Sequence, residues 1–198
     1  MFALVSYGVF HASKGAGSHV IRLTHPGCWS NHASNLYAPL DASATELLET
    51  ILFESRAKIG VTGYWPDGRL HEKARTLAQA IAGGDAVEVY RWDAVHPDAE
   101  RIAYEWDTRQ IGKEYDAPGL GGFIPISLIR DRALRQQQRQ YDAKWWCSEK
   151  CYAQTMKRGL PALQNVVPFQ IDPEWHRTSP LKTFVFGAPD NFPHIVKS

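Results

Sequence analysis

The sequence predicts an α+β protein, because its strand-like and helix-like segments are partly segregated along 198 residues. Short apolar runs separated by turn signals fill the first half, and most helical patterns lie in the second half. Hydrophobic residues make up 44% of the chain, and seven Trp add bulk. This is enough apolar material for one domain with a substantial core, which needs neither a metal nor disulfides for its stability.

Strands are predicted where short apolar or alternating runs are bounded by turn signals. The predicted strands are 18–24, 32–37, 86–92 and 181–186. The segment AVEVYRW at 86–92 alternates apolar and polar side chains, as a half-buried strand does. Residues 47–54 fit a strand or a helix by pattern, and the run ILF before a charged residue favours a strand at the end of that segment.

Helices are predicted where apolar residues recur every three or four positions. In the segment 70–83, the apolar face consists of Leu70, Ala74, Leu77 and Ile81, and Gly83 with Gly84 ends the helix. Further helices are predicted at 97–111, over part of 123–140, and at 147–158. A Gly- and Pro-rich turn at 115–122 separates the first two of these helices.

The formal net charge of +1 argues against a large nucleic-acid surface, because phosphate binding needs clustered basic charge. A local basic cluster is interpreted as a solvated helix face rather than a polyanion site: Arg130, Arg132, Arg135 and Arg139. No run of 18 apolar residues exists, so we expect no integral membrane segment. The N-terminus lacks the basic start of a signal peptide, so we expect a protein that is cytoplasmic as synthesised. Export by a non-classical route or release by lysis would leave no trace in the sequence.

The three cysteines do not indicate a disulfide framework or a metal site. An odd number of cysteines fits a reducing compartment better than a set of disulfides. Cys147 and Cys151 are four positions apart, which does not match the spacing of common zinc knuckles, and no second ligand pair lies near them. We therefore predict no metal and no cofactor.

The segment around Cys147 is the sharpest chemical feature of the sequence. Cys147 follows Trp145 and Trp146 and is predicted to lie in the first turn of a helix. Unpaired backbone N–H groups and the helix dipole at that end stabilise a thiolate. The backbone N–H of Cys147 is also a candidate oxyanion donor. The alternative interpretation is a buried structural cysteine, which is the commoner fate of this residue type.

A cysteine nucleophile needs a base, and His32 is the best candidate among the eight His. His32 follows a loop of small residues and opens a predicted strand, so its ring is placed to project into a cleft. A surface histidine at a strand end is the alternative. A third group must orient the imidazole, and Glu54 or Glu49 is a candidate for that role.

Taken together and in this order, these elements resemble the circularly permuted branch of the NlpC-type papain-like amidases, the YiiX/YebB-like proteins. Four elements spanning about residues 18–158 carry the resemblance. They are Ser18-His19-Val20-Ile21-Arg22 with Trp29-Ser30-Asn31-His32, Ile51-Leu52-Phe53-Glu54 with Gly60-Val61, Gly112-Lys113-Glu114-Tyr115-Asp116, and Cys147-Ser148-Glu149. The chain departs from the family where Asn31 makes the Ser-His element one residue longer. It also departs at Lys150, where the family often has Leu, so we expect a more exposed helix face there.

The resemblance implies an α+β, circularly permuted papain-like (NlpC-type) fold with an antiparallel sheet packed against helices. It implies a triad of Cys147, His32 and Glu54, and it favours Glu54 over Glu49. Tyr115 is interpreted as a pocket residue or a support for the oxyanion site, with plain packing as the alternative. Trp145 and Trp146 are interpreted as a substrate-binding cleft wall, although one of them can be core.

The whole chain, 1–198, is predicted to be one domain, with 160–198 as a Pro-rich tail that wraps it. The implied function is a cysteine amidase or peptidase acting on peptidoglycan stem peptides, as a phage or secreted antibacterial factor. The expected partner is therefore a peptide or acyl substrate, with no nucleic acid. Two alternatives remain open: a lipid-directed thioesterase or acyltransferase related to lecithin retinol acyltransferase, and a non-catalytic binding module on the same fold.

Overall fold

The computed structural model describes residues 4–13, 29–93, 96–116, 144–145, 147–159, 177 and 181–187. Within these residues, six strands form one sheet in the order β4-β3-β2-β1-β5-β6, and all neighbouring strands are antiparallel. The strands are β1 (Leu4–Ala12), β2 (His32–Pro39), β3 (Phe53–Arg56), β4 (Gly60–Thr62), β5 (Ala86–Trp92) and β6 (Lys182–Gly187). The helices are α1 (Ala44–Glu49), α2 (Leu77–Ala82), α3 (Pro97–Thr108) and α4 (Cys147–Lys157). The mixed α+β class predicted from the sequence is confirmed.

Helices pack on both faces of the sheet. One core joins residues of α1 and α2 to the strands and includes Leu47, Leu77, Val9, Leu36 and Val89. A second core joins α3 and α4 to the other face and includes Ala103, Ala153, Tyr37, Phe53 and Val61. Because successive side chains of a strand point to opposite faces, Leu36 and Tyr37 belong to different cores. None of the described helices is long and apolar enough to span a lipid bilayer.

Most predicted elements that fall on described residues are confirmed. The strands predicted at 32–37, 86–92 and 181–186 are present, and each begins at or within one residue of its predicted start. The helices predicted at 97–111 and 147–158 begin at their predicted first residues, as α3 and α4. The ambiguous segment 47–54 contains both elements, since α1 ends at Glu49 and β3 begins at Phe53. The predictions for 18–24 and 123–140 lie outside the described residues. The single domain with a Pro-rich wrapping tail stays a prediction, and β6 is the part of that tail placed in the sheet.

The prediction of a helix over 70–83 is wrong for its first half. The helix begins only at Leu77, because Thr76 caps it by accepting a hydrogen bond from the backbone N–H of Gln79. Before that cap the chain forms a turn, in which the N–H of Ala74 donates to the carbonyl of His71. Leu70 pairs with Tyr64 in a β-bridge and is 48% exposed. A helical spacing of apolar residues therefore did not indicate a buried helix face here.

The strand β1 was not predicted, although it lies in the interior of the sheet. Eight of its nine residues are buried, because cores cover both faces of the sheet at this point. A strand buried on both sides lacks the polar alternation that identifies a half-buried strand in a sequence.

Two buried ion pairs hold α4 against α3 and the sheet. Lys150 is fully buried, which corrects the expectation of an exposed helix face at this position. Its Nζ lies 2.5 Å from Oδ1 of Asp107 on α3 and donates to the carbonyl of Phe53 at 3.2 Å. Near the end of α4, the guanidinium of Arg158 pairs with the buried Glu100, whose other oxygen accepts from a β1 backbone N–H.

The segment 112–116 connects the outer strand β4 to the residues that precede α4. The N–H of Val61 donates to the carbonyl of Lys113 at 2.8 Å, and the N–H of Gly112 donates back to Val61 at 3.0 Å. Gly112 has φ of 83°, and a Cβ there would lie 2.6 Å from the indole of Trp65. The N–H of Trp145 donates to the carbonyl of Glu114 at 3.1 Å, so this segment fixes the chain two residues before Cys147.

Candidate active site

The start of strand β2 and the start of helix α4 bring His32 and Cys147 together. His32 is the first residue of β2, and Cys147 is the first residue of α4. The ring of His32 is hydrogen-bonded to the Cys147 side chain on one side and to Glu54 on the other. Its Nε2 lies 3.0 Å from Oε2 of Glu54. The other ring nitrogen, Nδ1, is therefore the one available for a hydrogen bond with the Cys147 sulfur.

The additional residue Asn31 fastens the loop before His32 to the end of strand β1. Its amide oxygen accepts from the N–H of Ser13 at 2.8 Å, and its amide nitrogen donates to the carbonyl of Ser13 at 3.0 Å. The backbone N–H of Asn31 also donates to the carbonyl of His11 at 2.9 Å. These hydrogen bonds of Asn31 therefore hold the start of β2, and with it His32, in register with β1.

The electrostatics of the site favour a charged ring. Burial lowers the pKa of His32, but the Cys147 sulfur and the Glu54 carboxylate outweigh that effect and raise it from 6.5 to about 10. Burial alone would raise the pKa of Glu54, and hydrogen bonds from His32 and Arg75 instead bring it well below its usual range. At neutral pH the pair is therefore an imidazolium against a carboxylate.

Two guanidinium groups surround Glu54, which is fully buried. Arg75 donates through Nε to Oε1 at 2.8 Å and through Nη2 to Oε2 at 3.1 Å. Nε of Arg56 lies 3.0 Å from the same Oε1, but without hydrogen-bond geometry. These cations balance the negative charge of a carboxylate that has lost its contact with water.

A second imidazole and a second carboxylate lie behind the first pair. Asp85 accepts from Nη2 of Arg75 at 3.0 Å and lies 3.3 Å from Nδ1 of His11. The other ring nitrogen of His11 lies 2.7 Å from Oγ of Ser34, and its ring centroid is 4.8 Å from that of His32. Burial lowers the pKa of His11, so this second ring is neutral at pH 7.

The sequence analysis missed this second group of residues. His11 lies directly opposite His32 in the β1–β2 register, a signal that requires β1 to have been predicted and paired first. Arg75 and Asp85 flank helix α2, and neither has a local motif that distinguishes it from an ordinary surface charge.

The structure brings together Cys147, His32 and Glu54, the three residues predicted as a triad. Glu49 is exposed at the end of α1, whereas Glu54 is the carboxylate that contacts the His32 ring. Cys151 lies one turn after Cys147, and both are free thiols. Cys151 is fully buried, and burial raises the pKa of its thiol well above the usual range.

The predicted substrate-binding residues have different positions. Trp145 is 3% exposed, its Nε1 donates to Oε1 of Gln110 at 3.0 Å, and its ring packs edge-on against Trp106. This placement favours the core role that was left open for one of the two tryptophans. Trp146 lies outside the residues whose side chains are described. Tyr115 is half-buried on the segment beside Trp145, and its pocket role stays a prediction.

Comparison with known proteins identifies the fold. No family model and no curated protein matches the chain. Among solved structures, the metalloprotein YiiX from Escherichia coli O157:H7 is similar, with a TM-score of 0.57. The chain adopts a YiiX-like fold. The likeness covers 95% of this chain and 99% of YiiX, and 15% of the aligned residues are identical.

YiiX is a metalloprotein, and three described residues of the site offer atoms of the kind that ligate a metal. His11, His32 and Glu54 each offer one such atom, and these atoms lie within 4.8 Å of one another. Both oxygens of Glu54 are engaged by Arg75, and Nε2 of His32 is bonded to the same carboxylate. A divalent cation at this position would lie beside two guanidinium groups, which repel it. The described residues in this arrangement therefore do not fit a metal.

Proposed function

We propose that the protein is a cysteine hydrolase that cleaves an amide bond by acyl transfer through Cys147, on a circularly permuted papain-like fold. The observation that supports this proposal is the ring of His32, held between the Cys147 side chain and the Glu54 carboxylate. A nucleophile, a base and a group that orients the base are the three parts that this chemistry needs.

In the first half of the reaction, His32 already holds the proton of the Cys147 thiol as an imidazolium, and the sulfur attacks the substrate carbonyl carbon. The backbone N–H of Cys147, at the start of α4, donates to the oxygen that becomes negative. The C–N bond then breaks, His32 gives its proton to the leaving amine, and a thioester remains on Cys147.

In the second half, His32 takes a proton from water, and the resulting hydroxide attacks the thioester carbon. The C–S bond breaks, the carboxylic acid product leaves, and the proton taken from water stays on His32, which restores the charged ring of the resting site. Glu54 accepts the hydrogen bond from Nε2 throughout, which keeps Nδ1 directed at the sulfur and stabilises the charged ring.

The proposed substrates are the stem peptides of bacterial peptidoglycan. The resemblance of the ordered sequence elements to NlpC-type amidases supports this class. An acyl lipid in place of a peptide is the competing outcome of the experiment below, since a thioester intermediate serves either substrate.

The test compares three proteins on two substrates. Wild type, Cys147→Ala and Cys151→Ala are incubated with purified peptidoglycan and with phospholipid vesicles, and products are identified by mass spectrometry. Cys151→Ala is the matched control, because it removes a buried thiol from the same helix. We expect cleaved stem peptides from wild type and Cys151→Ala and none from Cys147→Ala.

Each other outcome contradicts part of the proposal. Full activity of Cys147→Ala would refute the nucleophile. Cleaved lipid without cleaved peptide would assign the enzyme to acyl lipids. No product from wild type on either substrate would favour a non-catalytic binding module.

A further inference from the structure

One guanidinium group connects the buried carboxylate of Glu54 to the partly buried carboxylate of Asp85. Arg75 lies just before α2, and its side chain contacts both Glu54 and Asp85. It donates to the two oxygens of Glu54 at 2.8 and 3.1 Å and to Asp85 at 3.0 Å. A planar fork that binds both oxygens of a carboxylate fixes the plane of that carboxylate, which a single charge does not.

We propose that Arg75 is a positioning residue for the triad, which fixes the Glu54 carboxylate in the orientation that holds the His32 ring. This inference rests on the proposed function, because it assigns a role in the same site. Oε2 of Glu54 accepts from Nη2 of Arg75 and from Nε2 of His32 together. Turning the carboxylate away from His32 would therefore also break its contact with Arg75.

Asp85 holds the arginine in its turn. Its oxygen accepts from Arg75 and lies 3.3 Å from the ring of His11, which is bonded to Ser34 on β2. The backbone N–H of Asp85 donates to the carbonyl of Ala80 at 3.2 Å, which fixes this residue against the end of α2. The side chain of Arg75 is thus held by Asp85, which is itself fixed by His11 on β1 and by the end of α2.

The charges that face Glu54 come from several elements. His32 faces it from β2, Arg56 from its own strand and Arg75 from the segment before α2. Further away, Asp85 and His11 are connected to it through Arg75. Burial favours the protonated form of Glu54, and the hydrogen bonds from His32 and Arg75 oppose it. Without Arg75, the pKa of Glu54 rises, so the carboxylate stays ionised over a narrower pH range and stabilises a charged His32 over a narrower range.

Arg56 provides the matched control. It is an arginine of similar exposure at 3.0 Å from the same carboxylate oxygen, but it lacks hydrogen-bond geometry there. Its Nη2 donates instead to the backbone carbonyl of Lys73. Removing Arg56 takes away a nearby charge, whereas removing Arg75 takes away a charge and the fork that orients Glu54.

The experiment measures the pH dependence of Cys147 alkylation by iodoacetamide in wild type, Arg75→Met, Arg75→Lys and Arg56→Met. We expect the acid limb of the rate profile to move to higher pH in Arg75→Met by about one unit, a tenfold loss of rate on that limb. Arg75→Lys, which keeps the charge, should lie between Arg75→Met and wild type. The limb should move less in Arg56→Met. On a cleavable substrate, Arg75→Met should lower kcat by about 100-fold with little change in KM.

An acid limb in Arg75→Met that coincides with that of wild type or of Arg56→Met would overturn the inference. Far-UV circular dichroism verifies folding, and Arg75→Lys decides the question if Arg75→Met does not fold. Alkylation needs no substrate. A wild type that cleaves nothing would therefore refute the proposed function, while the alkylation profiles would still decide the role of Arg75.

Discussion

Replacing Lys150 by Met should lower the free energy of unfolding by about 3–5 kcal/mol, because it leaves a buried carboxylate without its cation. Both Lys150 and Asp107 are fully buried, and their charged atoms are 2.5 Å apart. After the replacement, Asp107 keeps the hydroxyl of Tyr37 as a donor at 2.8 Å but no positive charge. For a chain of this length, the loss corresponds to a fall in Tm of about 6–20 °C.

The loss should depend on pH. Burial already raises the pKa of Asp107, and Lys150 opposes that rise. In Lys150→Met the pKa of Asp107 rises further above its unfolded value, so the stability deficit should be small in acid and grow as the pH rises. The double variant Lys150→Met/Asp107→Asn, which has no buried charge, should be more stable than Lys150→Met alone at pH 7.

Urea denaturation followed by fluorescence measures these differences, with the midpoint and the slope fitted separately. Arg101→Met is the control, because it removes an ion pair of similar length on the surface of α3. Arg101 and Glu105 are 2.9 Å apart and 47% and 43% exposed, so this variant should lose less than about 0.5 kcal/mol. Equal losses for Lys150→Met and Arg101→Met would refute the reasoning.

Three further predictions concern the thiols, the imidazole and one turn. In the native protein at pH 7, iodoacetamide should label Cys147 and spare Cys151. Equal labelling of the two thiols, measured by peptide mass spectrometry, would contradict the assignment of Cys147 as the reactive thiol. The raised pKa of His32 contributes stability below about pH 6.5 that is lost as the pH rises to about 10. Denaturation midpoints should fall across that window in wild type, and His32→Gln should flatten the fall. Gly112→Ala should cost about 2–4 kcal/mol, because its left-handed backbone adds to a clash with an indole. Gly68→Ala, with φ of 82° and open space, should cost about 1–2 kcal/mol, and equal Tm losses would contradict the close packing at Gly112.

The sequence by itself determined the elements whose signals are local. Alternation identified β5, Pro97 marked the start of α3, and the start of α4 at Cys147 was predicted from its own segment. The α+β class followed from the order of such segments. These features depend on residues a few positions apart, so a short stretch of sequence contains the information that produces them.

Only the tertiary structure decided which charges meet. Sequence reasoning left Glu54 and Glu49 as alternatives, and the β2–β3 pairing placed Glu54 beside His32 while Glu49 remained exposed at the end of α1. The same folding buried Lys150 and brought Arg75 to the carboxylate. In the sequence, a charged residue that becomes buried cannot be distinguished from a surface residue, because its ion-pair partner lies on a distant segment. The sheet register and the packing of α4 fix that partner, and both depend on the whole chain.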